Sequence, residues 1–146
     1  MATFAKVDEL SLRACSTNGG GSEAATRLLA NQKRPDGIFC FNDPVALGAM
    51  RAILDAGLRI PEDIAIVGCG NLPYSDFLRV PLTSIDQGRD AIGKHAAALA
   101  MQLAHEPETM RPKCEVIRPQ IVVRASSLRT TPCPRYRLRP FAAARN

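Results

Sequence analysis

Between Gly37 and Asn71 the chain reads GIFCFNDPVALGAMRAILDAGLRIPEDIAIVGCGN, a stretch that few folds can accommodate. Residues 37–41 are a short apolar run closed by a turn signal, which suits a buried strand better than a helix too short to stand alone. At Asn42-Asp43-Pro44, either Asn42 or Asp43 can accept hydrogen bonds from the first free amides of a helix. Pro44 suits the first helical position, where a missing N–H costs nothing. Val45, Leu47, Met50, Ile53 and Leu54 recur at three- and four-residue spacing while Arg51 and Asp55 fall off that stripe, so the helix has one apolar face. Gly57 ends it as a left-handed C′ residue would. Residues 64–67 form an almost continuous apolar run, of the kind found in parallel strands covered on both faces. Strand, helix and parallel strand make a βαβ unit with a right-handed crossover, and such sheets bind ligands beyond the carboxyl ends of their strands. Phe41-Asn42-Asp43 and Gly68-Cys69-Gly70-Asn71 lie at those ends, and function is expected there.

The alternation continues on both sides. Residues 10–14, Leu-Ser-Leu-Arg-Ala, have the weak alternation of a strand. Residues 16–22, Ser-Thr-Asn-Gly-Gly-Gly-Ser, read as a loop; the lysine and Ser/Thr that would complete a P-loop are absent, so a plain turn is expected. Ser22 then caps a helix whose Ala24, Ala25, Leu28 and Leu29 form a narrow apolar stripe. Beyond Asn71, two prolines keep residues 72–81 out of a central strand. Residues 82–87 are short and extended, and Ile92, Ala96, Leu99 and Leu103 mark one face of a helix that ends before Pro107. Strand-like runs at 114–117 and 121–123 flank Arg118-Pro119. The pattern is α/β throughout, at the length of one ordinary domain.

Charge and cysteine content narrow the function. Of 19 basic residues six lie from Arg124 onward with no acid among them, so the net charge of +5 belongs to the tail and the remainder carries −1. Such a body, without a helix-turn-helix segment, holds no reader of a DNA groove. The five cysteines, Cys15, Cys40, Cys69, Cys114 and Cys133, are odd in number and form no CxxC pair. Reduced thiols fit them better than disulfides or a zinc site. No N-terminal segment resembles a signal peptide and no apolar run could span a bilayer, so a soluble cytoplasmic protein is expected. His95 and His105 lie on one predicted helix about 15 Å apart along its axis and do not make a metal pair. A nucleophilic Cys69 would need a base that no Cys-His spacing supplies, which leaves it a packing cysteine. Gly68-Cys69-Gly70 begins like a dinucleotide fingerprint, but Pro73 stands in place of the third glycine. No catalytic residue, metal ligand or cofactor is assigned.

The stretch IFCFNDPVALGAMRAILDAGLRIPEDIAIVGCGN, followed by LTSIDQ and a helix containing IGKHAA, resembles the effector-binding domain of the lac-repressor and galactose-repressor (LacI/GalR) family of bacterial transcription regulators. The Asn-Asp-Pro helix start, the Gly-Leu-Arg-Ile-Pro-Glu-Asp connector, the Val-Gly strand end and the Leu-Thr-Ser-Ile-Asp-Gln strand are spaced as in that family. The likeness runs from Arg34 to Ser127 and more loosely back to Leu10.

The resemblance implies a periplasmic-binding-protein-like type I fold: a three-layer, mostly parallel sheet with flanking helices, in two lobes that the chain crosses three times. Present here would be one lobe plus crossing segments. Residues 10–129 would form the C-terminal part of the effector domain, with 88–106 a helix that packs in the other lobe. Residues 1–9 are unassigned, and 130–146 form a basic, Pro-rich tail expected to be mobile. The implied function is to bind a small effector, sugar-like or other, and so control DNA binding by a headpiece absent from this sequence. The alternative is a fragment of a solute receptor for transport, which shares the architecture.

Carried onto this sequence, Asn42 is the first ligand-binding candidate, with Asp43 capping and orienting. Gly70 stands where the family usually has an Asp that takes paired sugar hydroxyls, which leaves Asn71 and Gln87 for polar recognition. A homodimer is implied through Ala46, Leu47, Met50, Phe77 and Leu78, and the helix after Gly88, without its lobe, adds a second apolar face for association.

Overall fold

A computed structural model describes residues 16–32, 34–105 and 114–129. The expected strand at 10–14, the segment 1–9 and the tail 130–146 lie outside the described residues. Two helices, α1 (Asn18–Leu29) and α2 (Asp43–Asp55), alternate with strands β1 (Gly37–Phe39) and β2 (Ala65–Cys69). A 3-10 turn (Pro73–Asp76), β3 (Thr83–Asp86), helix α3 (Arg89–His105), β4 (Gln120–Val122) and a second 3-10 turn (Ala125–Ser127) complete the order. The sheet runs β1-β2-β3-β4. Its first three strands are parallel, with Phe39 beside Val67 and Val67 beside Thr83, and β4 returns antiparallel to β3 with Ile121 beside Ile85. The βαβ unit and the α/β class are as expected from the sequence.

Local chemistry explains the ends of α2. Asn42 rather than Asp43 is the cap; Asp43 is the first helical residue and Pro44 the second, one place later than expected. At the other end Gly57 has φ 74°, Leu58 N–H reaches Ile53 O at 3.1 Å and Gly57 N–H reaches Leu54 O at 2.9 Å. This pair of bonds satisfies the last carbonyls and needs a residue at ease in the left-handed region. Val45, Ala46, Ala49, Met50 and Ile53 face inward with Ile60, Ile64, Ile66 and Leu82. Ile53, Ile66 and Leu82 are fully buried, and burial of each such side chain contributes about 1.5–3 kcal/mol. The apolar face is narrower than the spacing predicts: Leu54 is exposed, and Ala46, Ala49 and Ala52 take the inner positions. Ala lets the helix lie closer to the sheet than Leu would.

The glycine-rich segment differs from its expected form. It was expected to be a loop with Ser22 as cap, yet Asn18 already begins α1 and Thr17 caps it by accepting from Gly20 N–H at 3.2 Å. Three consecutive glycines disfavour a helix by about 1 kcal/mol each relative to Ala, so tertiary contact must favour it. A Cβ on Gly48 would lie 1.8 Å from Asn18 O, and one on Gly21 2.2 Å from Val45 O. Bare backbone on both helices is what lets α1 and α2 touch.

The C-terminal segment straps the amino ends of β2 and β3. Ser126 Oγ donates to Ile66 O at 2.7 Å and accepts from Thr83 N–H at 2.8 Å. Arg129 Nε donates to Pro61 O at 2.8 Å, and its guanidinium also donates to Asp36 O. Of the two strand-like runs expected here only the second pairs; residues 114–117 have no ladder partner, and β4 begins at Gln120 after Pro119. Helix α3 buries none of its residues, leaving Ile92, Met101 and Leu103 exposed.

Gly48→Ala should separate α1 from α2 and destabilise the chain by about 1–3 kcal/mol, the ordinary cost of overpacking. Urea denaturation measures it; Gly93→Ala, where a new Cβ meets nothing within 4 Å, is the control and should be neutral or stabilising.

Candidate functional site

The carboxyl ends of β1, β2 and β3 converge on the amino end of α2. Asn42 Oδ1 accepts from Val45 N–H at 2.8 Å. This bond assigns the amide, since only the oxygen can accept, and leaves the Asn42 NH2 group with no partner among the described residues. Capping and ligand binding are therefore compatible roles, because the cap orients the donor.

Asp43 is completely buried. Its Oδ1 accepts from Ser84 Oγ at 2.6 Å, and its Oδ2 from Leu72 N–H at 2.7 Å and Ser75 Oγ at 3.2 Å. One carboxylate thus joins α2, the loop after β2, the first 3-10 turn and β3, at a helix N-terminus where the backbone dipoles favour negative charge. Gly68 belongs to the same arrangement: a Cβ there would lie 2.3 Å from Asp43 Oδ1. Burial pushes the Cys40 thiol up to about 12, and the Asp43 charge acts in the same direction. Burial and then the Asp43 charge also raise the Cys69 thiol and the Tyr74 phenol. Neither cysteine is an activated nucleophile.

The loop after β2 turns through two left-handed residues, Gly70 at φ 122° and Asn71 at φ 46°. The first value belongs to glycine, and the second is one that Asn tolerates. Asn71 N–H donates to Ser84 Oγ at 3.0 Å. Its side-chain Nδ2 donates to Asp86 Oδ2 at 3.0 Å, and its Oδ1 accepts from the Arg124 guanidinium at 2.8 Å. Arg124 also donates to Leu82 O at 2.9 Å and pairs with Asp76. Asp86 Oδ1 accepts from Gly88 N–H at 2.8 Å. That bond, the Asn71 amide and the nearby Arg89 charge hold the Asp86 carboxyl below the usual range.

Of the residues singled out from sequence, Asn42, Asp43, Gly70 and Asn71 come together at the strand ends. Gln87, just past β3, is exposed and Asn71 half-buried. Asp43 is walled off from solvent, so its contribution is to shape rather than to contact. Among the five residues expected to face a second copy, Ala46 and Met50 are buried in the chain's own core and Leu78 packs against that core. Leu47 is half-buried, and Phe77 stands 86% exposed. Ser84, Asp86 and Arg124 were not singled out. Asp86 could have been found as the polar end of an extended run at a strand's carboxyl terminus; no local pattern marks Arg124.

Asp43→Ala would leave three donors without their acceptor. Hydrogen bonds to a charged group contribute about 1.5–3 kcal/mol each, so a loss of at least ~3 kcal/mol in urea denaturation is expected, with Asp43→Asn intermediate. The lowered Asp86 carboxyl sets a pH dependence. Its stabilisation is present above the unfolded value, about 3.9, and fades as pH falls through the lower folded value. An acid titration followed by circular dichroism should show Asp86→Asn less sensitive to acid than the wild type as pH falls below the unfolded value of about 3.9.

Comparison with known proteins places the chain. The profile of the periplasmic binding protein-like domain matches residues 3–127. The HTH-type transcriptional repressor PurR of Pasteurella multocida is 40% identical over 106 residues, covering 73% of this chain and 31% of the repressor. The protein of the same name from Vibrio cholerae is 37% identical over 101 residues. The chain spans about a third of the length of the curated relatives it matches. Among solved structures, a LacI family transcriptional regulator from Enterococcus faecalis with bound ribose superposes with a TM-score of 0.74 at 29% identity, covering 80% of this chain and 42% of that one. The transcriptional regulator CelR in complex with cellobiose gives 0.72 at 29% identity, covering 78% and 35%. The chain belongs to the periplasmic-binding-protein-like domain family, in the form carried by LacI-type transcription regulators.

Proposed function

We propose that this chain is the ligand-sensing part of a LacI-type regulator, with the carboxyl ends of β1, β2 and β3 forming one wall of a cleft for a small polar effector. The observation that carries this reading is the convergence of Asn42, Asn71 and Asp86 at the strand ends, where sheets of this type take ligands. Relatives named as repressors and structural neighbours holding ribose or cellobiose favour a hydroxyl-rich effector. The role is binding rather than catalysis, in the cytoplasm. Residues 10–129 form the effector part, and 88–106 pack in a second lobe. Ligand closes the lobes and alters the spacing of DNA-binding headpieces through a dimer. Among the described residues no helix is long and apolar enough to cross a membrane.

Calorimetry with pentoses, hexoses and nucleobases tests the cleft. The chain alone should bind none of them more tightly than about millimolar, since that affinity already needs roughly 4 kcal/mol from one wall. With the complementary lobe of a LacI-type regulator supplied, one should bind, and Asn42→Ala should weaken it by about tenfold, the loss of one hydrogen bond of roughly 1.4 kcal/mol. Micromolar binding by the chain alone, or none with both lobes, overturns the reading. Self-association would use the exposed Phe77 together with the half-buried Leu47 and Leu78. Sedimentation at high micromolar concentration should show a dimer that Phe77→Asp disrupts; because Phe77 is exposed, that change spares the core.

A further inference from the structure

The carboxamide of Asn71 lies between two groups of opposite character. Arg124 offers only donors and an ionised Asp86 only acceptors, so the amide has one satisfactory orientation, with oxygen to Arg124 and nitrogen to Asp86. Arg124 is itself fixed. Its side chain is 11% exposed. Its N–H donates to Thr83 Oγ1 at 2.8 Å, and its carbonyl accepts from the same hydroxyl at 2.9 Å. Its guanidinium spans Leu82 O, Asp76 and Asn71. The backbone of Asn71 is held separately by Ser84 and Arg89. What Arg124 adds is the direction of the side-chain amide.

We propose that Arg124 is a positioning residue: acting through Asn71, it holds the amide so that a second Asn71 N–H and the Asp86 carboxylate stand side by side toward ligand. A donor next to an acceptor matches a hydroxyl group, which both accepts and donates. Asp86 would thereby supply from the end of β3 the carboxylate that Gly70 lacks at the end of β2. The assignment of this pair to ligand rests on the function proposed above; the fixing of the amide by Arg124 does not.

The test uses the whole 146-residue chain without ligand, so that its outcome is independent of whether an effector is found. In isotope-edited NMR, the Asn71 side-chain NH2 protons should be well separated and exchange with water at least tenfold more slowly than those of exposed Asn31. Arg124→Met should collapse both properties to those of Asn31 and raise the midpoint of Asp86 titration, and Arg124→Lys should restore them in part. A role in stability alone would lower the unfolding midpoint while leaving the Asn71 side-chain signals and the Asp86 titration unchanged in the folded protein, and that result overturns the proposal. Should Arg124→Met fail to fold, Asn71→Asp keeps a partner for Arg124 while facing a second carboxylate toward Asp86. It should then raise the Asp86 midpoint by a unit or more, and an unchanged midpoint overturns the proposal equally.

Discussion

Taking the Asp43 carboxylate out of water is tolerable only because three donors from three separate elements meet it, Ser84 from β3, Ser75 from a 3-10 turn and the Leu72 amide from the loop after β2. A charge that is fully buried must be satisfied, and the geometry that satisfies it dictates its surroundings. Gly68 carries no side chain because the carboxylate occupies that space. Ser84 faces α2 rather than the opposite side of the sheet. Its hydroxyl passes the constraint on, accepting from the Asn71 amide while donating to Asp43. The position of the loop that bears Asn71 is therefore decided at the first residue of α2.

A second set of hydroxyls does the same at the other end of the sheet. Ser126 and Thr83 close the amino ends of β2 and β3 with bonds that let an irregular return segment serve where a further strand would otherwise be needed. Arg124 lies between these two sets. Its backbone belongs to the strap, and its guanidinium reaches Asn71 in the loop after β2.

What could be read from the sequence was local. A helix start at Asn42-Asp43-Pro44, the Gly57 stop and the apolar run of β2 each announce themselves within four or five residues, though not which of Asn42 and Asp43 caps, and the unit they build has one topology. The start of α1 escaped because the reason for Gly21 lies on another helix, at Val45, and that for Gly48 at Asn18. Within the site, Asn42 and Asn71 were legible as polar residues at strand ends. Ser84, Asp86 and Arg124 draw their meaning from partners brought near only by the sheet, Asp43, Asn71 and Asp76 among them. The expected outward face of α2 failed in part for the same reason: Ala46 and Met50 look like any other small or flexible apolar residue until the position of the sheet is known.

Helix α3 has no fully buried residue, and only Ala91 and Leu99 are half-covered. Its 17 residues are near the length at which a helix in water is marginal on backbone bonds alone, roughly 12–15 residues. Beyond its own turns it is tied by Arg89, which donates to Asn71 O, and by His95, which pairs with Glu115, so most of its order comes from its own backbone bonds. Any surface that covers Ile92, Met101 and Leu103 gains their burial but must also meet whatever conformational entropy the helix still retains. Affinity at that face is consequently a folding equilibrium as much as a contact, and changes in helical propensity on the far side of α3 would tune it without touching the partner.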